Sequence, residues 1–195
     1  MNSTSVNFEP LIDRIFGQLR QHGSAVADRR RAGLSAERIE AVIRKLGLDA
    51  PSGLLELYSA CDGTSTSEGE TLGAIQFFPG FYWMDLEDAA TVYGAVSQSD
   101  EWNPAWLPIF ANGGGDFYAV ICDSKSPYFG EVVGFVLGEA GQISEFENLF
   151  SLFETITRSF EEGVFFFSEG RLQADYPAMR AIARQTQPSF VEHDV

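Results

Sequence analysis

The chain has 195 residues, 45% of them hydrophobic and 13% aromatic, with a formal net charge of −15. That length and apolar content suffice for one domain with a sizeable core, to which seventeen phenylalanines contribute. A field this negative excludes nucleic acid and anionic membrane as natural partners and favours cationic ones.

In chain order, Phe8, Leu11, Ile12, Ile15, Phe16 and Leu19 recur at helical spacing and predict an amphipathic first helix. A basic turn, "ADRRRAG", follows. Ser35 is placed to cap a second helix with Ile39, Val42, Ile43 and Leu46 on its apolar face and Gly47 as its stop. A third helix is expected over "LDAPSGLLELYSACDG", with Pro51 in its first turn and Leu54, Leu55, Tyr58 and Cys61 sharing a face.

After the polar loop "TSTSEGET", the segments "LGAIQFF" and "FYWM" read as strands around a Pro79–Gly80 turn. Asp85 caps a short helix, with Glu87 and Asp88 in its first turn complementing the dipole. Then "AWLPIF", "FYAVICD" and "EVVGFVLG" predict three strands of an antiparallel meander. Ser144 and Glu147 have the spacing of a capping box ahead of a helix striped by Phe146, Leu149, Phe150, Phe153, Ile156 and Phe160. "VFFFSEGRL" reads as a final strand and turn. Asp175 caps a last helix carrying Tyr176, Met179, Ile182 and Ala183, and "QTQPSFVEHDV" reads as a tail. Strands in the middle and helices at both ends give an α+β fold, with a central mostly antiparallel sheet packed by flanking helices. The expected divisions are a helical segment over 1–45, a core over 46–160, and a strand–helix extension over 161–195.

The charge is unevenly spread. Residues 1–45 carry +3, residues 158–195 carry −2, and residues 46–157 carry −16 with Lys125 as their single base. Cys61 and Cys122 lie among apolar residues without metal-type spacing, so buried free thiols in a reducing compartment are expected. The N-terminal stretch lacks a basic n-region and an uninterrupted apolar run, and a soluble, cytoplasmic protein is the expectation.

The glycines of "FANGGGDFYAVICD" precede a strand rather than a helix, and Asp116 follows them where phosphate would be repelled. Backbone reversal through positive φ over Asn112–Gly115 is the better account. His22 and His193 lie in a helix–loop junction and the tail, which argues against a histidine-based triad, and two cysteines with two histidines at no ligand spacing argue against zinc. No catalytic residue, metal or cofactor is assigned. A pair of carboxylates acting as a hydrolase remains an alternative, weak because an acidic chain offers many pairs.

The order of elements resembles a known family. Pro51, Leu54 or Leu55, Tyr58, Asp62 and Gly63 resemble the P-x-x-L-x-x-x-Y-x-x-x-[ND]-G pattern of the SUKH superfamily (Smi/Knr-like), with Asp62 where asparagine is more usual. "WLPIFANGGGDFYAVICD" and "GEVVGFVLGEAGQISEFENLFSLFETI" are similar to its central strand–loop–strand and its closing strand and helix. The resemblance implies an α+β domain without enzymatic activity. Its bacterial branch implies an immunity protein that neutralises a cognate toxin, often a nuclease. Its fungal relatives imply a regulatory or scaffold role instead.

On that reading the partner is a cationic toxin domain, with neither nucleic acid nor membrane bound, and the chain a monomer or weak dimer. Candidate contact residues are Asp62, Glu68, Glu70, Tyr82, Trp83, Asp85, Asp100, Glu101, Trp102 and Asp116, carboxylates in loops with nearby aromatics. Core burial is the competing reading for the tryptophans, and plain solvation for the carboxylates.

Overall fold

The computed structural model describes residues 7–195. Residues 1–6, where the stretch inspected for a leader begins, lie outside the described residues. Seven helices and eight strands follow one another: α1 (Glu9–Gln21), α2 (Ala36–Lys45), α3 (Ser52–Ala60), α4 (Leu72–Ile75), β1 (Tyr82–Trp83), α5 (Leu86–Val96), β2 (Trp106–Ala111), β3 (Phe117–Ile121), β4 (Val132–Phe135), β5 (Ile143–Phe146), α6 (Leu149–Glu161), β6 (Phe165–Ser168), β7 (Arg171–Ala174), α7 (Tyr176–Thr186) and β8 (His193–Asp194). Six strands form one antiparallel sheet in the order β1-β2-β3-β4-β5-β8, and β6 and β7 form a separate hairpin. The fold is α+β, as expected.

Local signals were obeyed at three helix starts. Ser35, Asp85 and Asp175 each accept the backbone N–H three residues on, from Arg38, Asp88 and Ala178. The apolar stripe of α1 is wholly buried, from Leu11 to Leu19. On α3 the buried residues are Leu54, Leu57 and Tyr58, with Leu55 only half-buried, and Pro51 is the N-cap rather than part of the first turn.

The sheet separates two apolar layers. On one face α1, α3, α6 and α7 close over Phe77, Trp83, Phe110, Val120, Val132 and Phe146. The Phe153 ring of α6 lies 5.1 Å from that of Trp83 and 5.5 Å from that of Phe8, edge-on to both. On the other face α5 and the loop after it cover Trp106, Phe117, Ala119, Val133 and Phe135, with Trp102 inserted edge-on at 4.9 Å from Phe135. Cys61 and Cys122 are buried free thiols, and burial pushes them up to about 11 and about 12.

Three expectations are corrected. Leu72–Ile75 forms a helical turn, not a strand, and Phe78 and Phe81 then close a tight reversal through Pro79–Gly80. Ile75, Phe77 and Phe78 reach the core from that turn, so their apolar spacing mimicked a strand. Ser144 is no helix cap: it lies in β5, fully buried, and its hydroxyl donates to Glu131 Oε2 at 2.6 Å. Asn148 caps α6 instead, accepting from the Ser151 N–H at 3.0 Å, and Phe146 belongs to β5 rather than to the helix. The tail returns to the sheet as β8, with Ile143 opposite Asp194 and Ser144 opposite His193.

Candidate partner-binding surface

Three loops meet at one end of the sheet, and side chains hold them together. The turn between β2 and β3 is shaped by Asn112, whose Oδ1 accepts the N–H groups of Gly114 (2.7 Å) and Asp116 (3.0 Å). Positive φ falls only on Gly113 (74°) and Gly115 (109°), not on all four residues from Asn112. Gly115 also lies close under the exposed Leu137 of the β4–β5 turn, whose Cδ2 a Cβ there would meet at 2.8 Å and displace. Asp116 Oδ2 accepts from Asn112 Nδ2 at 2.6 Å, and its Oδ1 accepts the Leu137 N–H at 3.1 Å. From the α5–β2 loop, Glu101 Oε2 accepts the Gly138 N–H at 3.2 Å.

The clasp presents Val136 and Leu137 to solvent, 45% and 55% exposed, with Glu101, Asp116 and Glu139 beside them. An open cleft of about 540 Å³ adjoins this tip, lined by Asp100, Glu101, Trp102 and Glu139 among others and by no basic residue. An exposed apolar pair within a one-signed rim has the anatomy of a protein-binding patch. Asp100, Glu101 and Asp116 are thereby brought together from separate loops. Tyr82 sits at the same end, since it pairs with Ala111 just before the Asn112 turn, and it is half-buried.

The other candidates are placed elsewhere. Trp83 and Trp102 are core residues, 0% and 4% exposed, and of the two only Trp102 borders the acidic cleft. Trp102 instead holds the α5–β2 loop down, its Nε1 donating to the Trp106 carbonyl at 3.2 Å. Asp62 and Asp85 are buried too, gathered around Arg31. Asp62 accepts from Arg31 Nε (3.2 Å) and from the Leu86 N–H (2.9 Å), tying the end of α3 to the start of α5. Burial outweighs both donors and pushes the Asp62 carboxyl up, with Asp85 adding to the rise. Arg31 is itself raised: burial opposes its charge, and Asp85 and Asp62 outweigh that. The pair therefore favours the exposed partner and strains the buried one. Glu70 is bound bidentately by Arg29, one contact at 2.6 Å, and its pKa is lowered accordingly. Glu68 is exposed in the same loop.

A second concavity, which the sequence reading did not reach, lies between the sheet and α7. It measures about 250 Å³ and is lined by Tyr118, Ile143, Glu145, Tyr176, Met179 and Glu192, among others. Glu145 lies at the irregular β4–β5 register, and its carboxyl fills the space above Gly134. The Tyr118 hydroxyl donates to Glu145 Oε2 at 3.2 Å. Burial raises the Glu145 carboxyl, and Glu192 raises it further. A half-buried glutamate two residues after an exposed isoleucine gives no periodic signal in the sequence.

His193, expected in an unstructured tail, is oriented by the scaffold. Its Nε2 lies 3.2 Å from Glu131 Oε2, and its ring is 4.5 Å from that of Tyr128. Glu131 stands between Ser144 and His193, so the imidazole does not reach the hydroxyl as a triad base must. Among the described residues no three His, Cys, Asp or Glu side chains gather as a metal site, and no helix is long and apolar enough to cross a membrane.

The fold is thus that of an α+β protein, with an acidic tip where three loops are clasped together. The sequence profile of the SMI1/KNR4 family (SUKH-1) matches residues 33–164, well over half of the chain. The chain belongs to that family. The match takes in α2 through α6 and leaves α1, the β6–β7 hairpin, α7 and β8 outside it. No curated protein matches the chain at a significant level.

Proposed function

We propose that this chain is a non-catalytic immunity protein that binds and neutralises a cationic toxin domain through the acidic tip. The observation that carries the reading is the exposed Val136–Leu137 pair set among Glu101, Asp116 and Glu139, beside a cleft with no basic residue in its lining. A toxin that handles phosphate must be positive where it does so. A rim of one sign steers such a surface inward and raises the encounter rate by about 10- to 10³-fold. The apolar pair then supplies desolvated contact at the centre.

The test is co-expression with a cationic toxin domain encoded beside the gene. Cells survive with the parent chain and lose protection with Asp100→Lys combined with Glu139→Lys, two exposed sites at which the fold is indifferent. Association in vitro slows markedly from about 50 mM to about 500 mM salt. Failure to protect against any such toxin rejects immunity, and a salt-insensitive rate rejects steering by the tip. A regulatory scaffold of the same family differs in retaining a partner but showing no rescue.

The cavity beneath α7 favours one further reading, a carboxylate-based hydrolase, because Glu145 and Glu192 share it and Glu145 is raised. At about 250 Å³ it lies below the usual range of roughly 300–1,000 Å³ for small-molecule sites, and binding is the simpler use of it. Turnover of aryl glycosides, abolished by Glu145→Gln, would establish the hydrolase.

A further inference from the structure

The geometry points to the cavity between the sheet and α7 as a binding site for an aliphatic cation, an ammonium or guanidinium on a short alkyl stem. The space is sized for one side chain rather than a larger ligand. Its polar end is prepared. Gly134 leaves room that a Cβ would take, since that atom would overlap Glu145 Oε1 and lie 2.7 Å from its Cδ. Tyr118, opposite Gly134 across the β3–β4 ladder, fixes the carboxylate by its hydroxyl. Glu192, brought over from the tail, adds a second carboxylate to the lining. Ile143, Met179 and Ala183 form apolar walls suited to a methylene stem.

What this arrangement lacks is a positive charge in contact. A carboxylate withdrawn from water is costly until a cation meets it. The single basic residue on the lining, Arg180, is exposed on α7 and forms no ion pair among the described residues. It acts on Glu145 through its field alone. Two carboxylates repel an anion. A hard metal ion needs several converging oxygens, and no three acidic side chains gather here as such a site. A monovalent organic cation with a hydrocarbon stem satisfies both the charge and the walls.

The test titrates the full chain with Nα-acetyl-lysine methylamide, Nα-acetyl-arginine methylamide and n-butylammonium, following by NMR the Glu145 carboxyl carbon and, in every variant, the methyl group of Met179 on the same lining. Nα-acetyl-norleucine methylamide is the uncharged control. Saturable shifts are expected with a Kd of about 1 mM for at least one cation, and none with the control. Binding weakens about tenfold in Glu192→Gln, whose side chain is exposed, and vanishes in Glu145→Gln. It tightens in Arg180→Ala, which removes the competing charge. If the capped residues bind, the ligand is a basic side chain presented by a protein; if only n-butylammonium binds, it is a free amine. No saturable shift with any cation, an equal response to the control, or unchanged affinity in both carboxylate variants overturns the inference. None of these readouts involves a protein partner, so the outcome is separable from that of the acidic tip.

Discussion

The Leu137 N–H donates to Asp116 Oδ1 at 3.1 Å, and this bond joins the tips of two turns that are 21 residues apart in sequence. With the Asn112 amide on its other oxygen, Asp116 is an organiser of the tip before it is a contact. Asp116→Ala removes both bonds from a half-buried site and is expected to cost about 1–2 kcal/mol, with Asp116→Asn costing less. Amide exchange at Leu137 should accelerate in the alanine variant while exchange in α6 is unchanged. Equal protection of Leu137 in parent and variant would contradict the clasp.

Asp62 offers a test through pH. Its carboxyl titrates above the ordinary value of 3.8 because burial disfavours the charge more than Arg31 and the Leu86 N–H favour it. A raised folded-state value means that the folded chain binds the proton more tightly than the unfolded chain. This contribution therefore grows as pH falls through the folded value and is complete below the unfolded one. Asp62→Asn keeps an oxygen for Leu86 and abolishes the titration; Arg31 keeps Asp85 at 3.5 Å. At neutral pH the variant should match the parent within about 1 kcal/mol or exceed it. As the pH falls through the raised Asp62 value toward the ordinary 3.8, the parent should gain on it steadily in denaturant melts. A parent that loses ground to the variant on acidification would show that the Arg31 pair governs the site.

These features differ in how far the sequence could disclose them. The helices α2, α5 and α7 were readable because a cap and an apolar period lie within one short window, as at Asp85 and Leu86–Val96, and α1 by its apolar period alone. The meander was readable because β2, β3 and β4 are apolar runs divided by turn residues. Where the sequence misled, a distant partner had claimed the residue. Ser144 has capping-box spacing, but Glu131 takes its hydroxyl within the sheet. The tip was half legible: Asp100, Glu101 and Asp116 were visible as loop acids, while Leu137 read as the end of a strand. For Trp83 core burial was already the stronger reading, and for Trp102 the two readings were even, because a sequence does not say which loops fold inward. Glu145 was hidden entirely, since its site exists only where Gly134, Tyr118 and α7 converge.

The fit of Glu145 above Gly134 can be measured by a double-mutant cycle. Gly134→Ala forces the Glu145 carboxyl aside and is expected to cost about 1–3 kcal/mol, the usual range for overpacking. Glu145→Ala empties the space. If the two side chains compete for one volume, Gly134→Ala costs much less in the Glu145→Ala background, with a coupling of about 1 kcal/mol or more. Additive losses in thermal or urea unfolding would place the carboxyl elsewhere.

Strand β8 covers the edge of β5 with only two paired residues, and the His193 ring packs against Tyr128 with its Nε2 3.2 Å from Glu131 Oε2. An uncovered edge strand is a template for another chain. A chain ending at Gln187 keeps the bonds of that residue to the Glu145 carbonyl (2.8 Å) and the Glu147 N–H (3.0 Å), so α7 stays docked. It loses the cover over Ile143 and Ser144. Sedimentation should then show concentration-dependent dimers where the parent shows fewer, with far-ultraviolet dichroism little changed. His193→Ala should give a weaker effect in the same direction, because β8 keeps its backbone pairing but loses its side-chain anchor. A truncated chain that folds and shows no more association than the parent would mean that β8 does not guard this edge.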